Sequence, residues 1–179
     1  MIFVTVGSTQ GGAQMGFPRL IDALAALPGG QLSVQYGATP PPAHAAEAVA
    51  FLSFEQVVER MEAADVVVCH AGVGSILCAL RAGHTPVVVP RSRRLSETVD
   101  DHQMELARAL ADERKVIAVF DESTLAAAVA SVPPRRASVA AGERPLHEVV
   151  RAAVHAPVPT QARVRLTRGS RRRPGSRRA

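Results

Sequence analysis

The chain predicts an α/β fold built on a doubly wound, mainly parallel, Rossmann-like sheet. Short apolar runs rich in β-branched residues recur through roughly its first two thirds, and between most of them the apolar spacing becomes helical. Glycine-rich segments follow the first and fourth of these runs, at positions where such a sheet keeps its ligand loops. With 179 residues and 47% hydrophobic content there is material for one buried core, and the length argues against two.

Ile2 to Val6 reads as the first strand and runs into GSTQGGAQ, residues 7 to 14. Phe17, Leu20, Ile21, Leu24 and Leu27 then form one helical stripe. A second strand is expected over Leu32 to Tyr36 and a third over Ala48 to Leu52, joined by the loop GATPPPAH, residues 37 to 44. Val57, Val58, Met61 and Ala64 mark the next helix, and Asp65 to Cys69 the fourth strand. After HAGVGS, residues 70 to 75, a helix begins with Ile76, Ala79 and Leu80. Pro86 to Val89 and Val116 to Phe120 complete the strands, with helices expected from about Asp101 to Ala111 and Ser123 to Ala130. Right-handed crossovers and the common order 3-2-1-4-5-6 would make strands one and four neighbours, with the ligand crevice between their carboxyl ends.

These elements define a domain over residues 1–132. A partly helical extension, residues 133–156, is expected to contain PPRRASVAAGERP and a short helix near Leu146 to Val154. Residues 157–179 read as a disordered, arginine-rich tail without a core to join.

The net charge of +5 belongs to that tail. Eight arginines and no acids lie from Arg163 onward, leaving 13 basic against 16 acidic residues in the rest of the chain. Aromatics are only 3%, without Trp, so a base-stacking platform has little material and nucleic acid is an unlikely partner by composition. Cys69 and Cys78 form no C-x-x-C pair and read as buried free thiols. IFVTV directly after Met1 lacks the pattern of a signal peptide, and no apolar run approaches ~18 residues, which predicts a cytosolic protein.

Candidate chemistry concentrates in the two glycine-rich loops. Gly72 and Gly74 allow close backbone approach, the helix amino end offers unpaired N–H groups, and Ser75 adds a hydroxyl donor, a combination suited to a diphosphate. His70 either donates to a phosphate oxygen or packs beneath the loop. Gly7, Ser8, Thr9 and Gln10 border the same crevice, or merely satisfy a turn. RSRRLSETVDD, residues 91 to 101, exceeds the usual length of a βα loop, itself a functional hint. Asp100 and Asp101 suit helix capping, whereas His102 and Gln103 project from the first turn and offer several bonds to sugar hydroxyls. Adjacent residues such as Asp100, Asp101 and His102 converge poorly on one ion, so no metal site is expected. Glu97, Arg91, Arg93 and Arg94 form either a solvated loop or an acceptor-facing rim.

The stretch VVVCHAGVGSILCALRAGHTPVVVPRSRRLSETVDDHQMELARAL, residues 66 to 110, with IFVTVGSTQ and the FPRLIDAL helix, resembles the carboxyl-terminal domain of glycosyltransferase family 28. The likeness is greatest to small catalytic subunits of two-subunit N-acetylglucosaminyltransferases that act on lipid-linked acceptors, and to their bacterial exopolysaccharide counterparts. It implies half of a GT-B enzyme, with a UDP-sugar as donor substrate, usually UDP-GlcNAc, no cofactor, and a membrane-anchored partner that supplies the acceptor and the general base. By matching position, the resemblance assigns His70, Gly74 and Ser75 to the diphosphate, His102 and Gln103 to the sugar, and Ser8 and Gln10 to the border of the nucleotide. It implies inversion without an obligatory metal, and work at the cytoplasmic membrane face, where the arginine tail would meet anionic lipid or stay in solvent.

Cys78 departs from the family pattern, which has Glu or Asp three positions after Ser75 to hold ribose hydroxyls. A thiol accepts hydrogen bonds poorly, and a lost charge-assisted bond costs ~1.5 to 3 kcal/mol. Another group replaces it, or donor binding is weak, or the chain is a non-catalytic nucleotide-sugar-binding or regulatory module.

Overall fold

A computed structural model describes residues 1–7 and 16–136. Ser8, Thr9 and Gln10, most of the 133–156 extension and the whole tail therefore lie outside the described residues. Six strands, β1 (Ile2–Thr5), β2 (Leu32–Gln35), β3 (Glu47–Val49), β4 (Val66–His70), β5 (Val87–Val89) and β6 (Ile117–Ala118), pair in parallel in the order β3-β2-β1-β4-β5-β6. This is the α/β, Rossmann-like sheet expected, with β1 and β4 adjacent where the order reverses.

Period-two alternation divides the core between the sheet's two faces. Val4, Val34 and Val68 join Leu20, Leu24 and Leu125, from α1 (Pro18–Ala23), the 3₁₀ turn that extends it and α5 (Leu125–Ala130). Phe3 and Val67 pack against Met61 and Ala79, while Cys69 and Val88 pack against Ile76 and Ala107. The second face is therefore covered by α2 (Phe54–Ala63), α3 (Val73–Arg81) and α4 (His102–Asp112). Burying a large aliphatic side chain contributes about 1.5–3 kcal/mol, which makes these two layers the main source of cohesion.

Element limits shift where local chemistry intervenes. The third strand stops at Val49 instead of Leu52, because Ser53 begins a capping box whose hydroxyl accepts from Gln56 N–H while the Gln56 side chain accepts from Ser53 N–H. The last helix starts at Leu125, after a 3₁₀ turn over Glu122–Thr124 capped by Asp121. Helix α3 is closed just past its end by Gly83, whose φ of +87° permits a Schellman pair of bonds, Gly83 N–H to Leu80 and His84 N–H to Ala79 carbonyls.

Past α5, Arg135 donates to the carbonyls of Ala82 and Glu62, placing its charge against the carboxyl ends of α3 and α2 together. Arg136 N–H adds a bond to Gly83, so the start of the expected extension is tied back to the domain.

Candidate functional site

Gly7, just past β1, and the turn after β4 meet at the reversal point, where both lie against the His70 ring. A Cβ at Gly7 or at Gly72 would collide with that ring from either side. Gly72 thus admits the imidazole. Gly74 is different: a Cβ there meets nothing within 4 Å. Gly7 also has a φ of +82°, and its N–H donates to Thr5 Oγ1 at 3.1 Å. Thr5 in turn donates to the buried Gln35 side chain, so a chain of polar side chains sets where the first loop leaves the sheet.

Burial pushes the His70 pKa down to about 4, assisted by the nearby Arg91 charge. The ring is therefore neutral at physiological pH and carries one N–H. Its Nδ1 is buried without a hydrogen-bond partner among the described residues. Such an atom is costly to leave unpaired, and it belongs to a residue that also lines a cavity.

That cavity is an open cleft of about 530 Å³, within the range of small-molecule sites. His70, Gly72, Gly74, Ser75 and Cys78 line it from the β4 and α3 side, and Thr5, Gly7 and Gln35 from its floor. Among the described residues no side chain caps the amino end of α3, which leaves its first amides and the positive end of its dipole to an anion.

The opposite wall is one that sequence reasoning missed. Phe51, Leu52, Ser53, Phe54, Glu55 and Val57, at the β3–α2 junction, line the same cleft. Phe51 and Phe54 are 56% and 67% exposed, in a chain with only five phenylalanines. The signal was the stretch FLSFEQ, in which aromatics flank a capping-box serine, although its apolar start read as the end of a strand.

His102 and Gln103 are not among the residues lining this cleft. The His102 side chain is 82% exposed, while Gln103 Oε1 accepts from Arg91 N–H at 3.1 Å and braces the β5–α4 loop. Asp100 accepts from His102 N–H as a capping group, but Asp101 turns back to Arg93 N–H. Glu97 and Arg91 are neither a solvated loop nor a rim. Glu97 is 6% exposed and takes a bidentate pair from Arg19, at 3.0 and 2.9 Å. Arg91 donates to the carbonyls of Gly16, Glu97 and Val6 and lies over the Phe17 ring at 4.5 Å. Both cysteines are free thiols; Cys69 is buried, with its pKa raised to about 12 by desolvation, and the half-buried Cys78 is shifted in the same direction by the same cause. Among the described residues, no group of three or more His, Cys, Asp or Glu side chains is arranged to hold a metal, and no helix is long and apolar enough to cross a membrane.

An uncapped helix end opposite exposed aromatics has the polarity of a nucleotide site. The profile of the glycosyltransferase family 28 C-terminal domain matches residues 1–149. The chain belongs to this family. A UDP-N-acetylglucosamine transferase subunit, ALG13, of Yarrowia lipolytica is 37% identical over 71 residues. The match spans 40% of this chain and 34% of that relative, so the chain covers about a third of the relative's length. Within this family-28 domain, all three expected glycines line the cleft, but a Cβ at Gly7 or Gly72 would strike His70 whereas one at Gly74 meets open space.

Proposed function

We propose that the chain is the donor-binding half of a transferase that moves N-acetylglucosamine from UDP-GlcNAc to a lipid-linked or polysaccharide acceptor. A second, membrane-anchored subunit supplies that acceptor at the cytoplasmic face. The observation carrying this reading is the uncapped amino end of α3 at Gly74 and Ser75, open to the cleft beside the neutral, buried His70. Family membership and the ALG13 match support the donor and the need for a partner.

In this reading the diphosphate sits on the amides of Gly74 and Ser75, with the Ser75 hydroxyl and His70 as further donors. The base rests against Phe51 and Phe54, and His102 and Gln103 approach the sugar from the β5–α4 loop. As the glycosidic bond breaks, negative charge grows on the leaving diphosphate, and the fixed helix end stabilises it without reorganising. The acceptor hydroxyl attacks from the opposite face, inverting the anomeric centre, and loses its proton to a base on the partner.

The test is transfer of radiolabelled N-acetylglucosamine by the full chain combined with its acceptor-binding partner, comparing UDP-GlcNAc with UDP-glucose. Transfer that Gly74→Asp abolishes while the variant's melting temperature is unchanged is the expected result. Saturable UDP-GlcNAc binding without transfer under any partner condition would instead support the non-catalytic module.

A further inference from the structure

The cleft contains one feature that the donor reading leaves without a task, a carboxylate opposite the phosphate-ready helix end. We propose that Glu55 holds the ribose hydroxyls of the bound nucleotide and thereby makes the cleft selective for a ribonucleotide. This rests on the donor reading above.

If the diphosphate occupies the amino end of α3 and the base the exposed faces of Phe51 and Phe54, the ribose lies between them. The polar side chains lining that span are Cys78, one turn into α3, and Ser53 and Glu55 at the start of α2. Cys78 packs against the Phe3, Leu52 and Met61 cluster, which places it on the side of α3 that faces α2. Burial raises its pKa, so it remains a thiol, a weak partner for hydroxyl groups. Glu55 is the sole carboxylate lining the cleft among the described residues.

A carboxylate suits a vicinal diol because its two oxygens accept two O–H groups at once. Glu55 is held for this purpose. Ser53 Oγ donates to its Oε2 at 2.9 Å, and the carboxyl's pKa is lowered by its own backbone N–H and then by Ser53. The group is ionised at neutral pH and sits in the first turn of α2, where negative charge is favoured. The opposed polarity of the two walls also fixes the nucleotide's direction: phosphate is attracted to α3 and repelled by Glu55, while hydroxyls are attracted to Glu55. Glu55 is thus a specificity-determining residue, and it supplies the acceptor that the thiol at 78 does not.

Calorimetric titration of the full chain with UDP and with 2′,3′-dideoxy-UDP tests the assignment. The unaltered protein is expected to favour UDP by roughly ten- to a hundredfold, the equivalent of one charge-assisted bond. Glu55→Gln should weaken UDP by a similar factor while leaving the dideoxy analogue within about twofold, so that discrimination collapses. Adding Cys78→Glu to Glu55→Gln should restore it from the other wall, which loss of folding would not allow. If Glu55→Gln binds UDP with unchanged affinity and unchanged discrimination, Glu55 does not hold the ribose, while the donor reading stands. If the unaltered protein binds neither nucleotide, the donor reading falls and this assignment with it.

Discussion

The turn after β4 and the loop after β5 leave the same edge of the sheet, yet they use their polar groups in opposite ways. In the β5–α4 loop nearly every conspicuous side chain bonds to protein: Arg91 to three carbonyls, Glu97 to Arg19 and Ser92 N–H, Asp101 to Arg93 N–H and Gln103 to Arg91 N–H. In the β4–α3 turn the packing is just as close around His70, but Nδ1 and the amino end of α3 are left without partners among the described residues. Charged residues in a long loop invite a functional reading, and here most of them hold the loop's shape. The helix end left without a side-chain cap among the described residues belongs to the shorter turn.

Breaking the contact that pins the longer loop should give the largest effect on stability. Glu97→Ala leaves the Arg19 guanidinium, 14% exposed, without its bidentate partner. Removing one member of a buried pair costs about 3–5 kcal/mol, and because Arg19 keeps Glu122 and the Pro90 carbonyl the loss read from urea unfolding should lie toward the lower end. Its effect on UDP affinity, measured where the variant remains folded, should be small.

The shorter turn should respond next, and in a way that depends on which glycine is changed. Gly72→Ala drives a methyl into the His70 ring and should destabilise by about 1–3 kcal/mol while displacing the ring and weakening UDP binding at least tenfold. Gly74→Ala meets open space, so it should leave the melting temperature within a few degrees. Equal losses of stability at the two positions would remove the distinction between packing glycine and ligand-facing glycine.

The buried imidazole sharpens the comparison through pH. The His70 pKa in the folded protein, about 4, lies below the ordinary value of 6.5, so between these values the unfolded chain binds more protons. Stability should therefore rise with pH from about 4 to 6.5 and be lost as pH falls through that window, with His70 contributing up to about 3 kcal/mol. His84, lowered mainly by burial, adds in the same direction. His70→Asn should flatten the larger part of the slope, which unfolding at a series of pH values would show.

Most of the fold was legible because repeated βα units constrain it strongly. β-branched runs marked all six strands, and the connection rules gave an order that matches the one observed. The missed ends have local causes: Ser53 caps a helix where Phe51 and Leu52 read as strand, and Asp121 starts a 3₁₀ turn. The α3 side of the cleft was legible for a different reason, since glycines between two apolar elements announce a tight βα turn. The roles of individual residues were less so. Spacing does not reveal that His70 lies between Gly7 and Gly72, because Gly7 is brought there by a neighbouring strand distant in sequence. Nor does it show that Glu97 meets Arg19 across 78 positions. The wall formed by Phe51 to Glu55 was hidden because its exposed aromatics resemble core residues until the strand is seen to end.

A small effect is expected at Gln103. Gln103→Ala removes one bond to the Arg91 backbone and should cost about 1 kcal/mol in urea unfolding.

The central claim, that the β4–α3 turn binds the diphosphate while the β5–α4 loop holds its shape, is tested most directly by amide NMR of the ¹⁵N-labelled chain titrated with UDP. The account predicts saturable shifts at Gly74 and Ser75 and at the Phe54 and Glu55 wall, with Ser92 to Val99 unmoved. Shifts concentrated at Ser92 to Val99, with Gly74 and Ser75 unchanged at saturation, would contradict it.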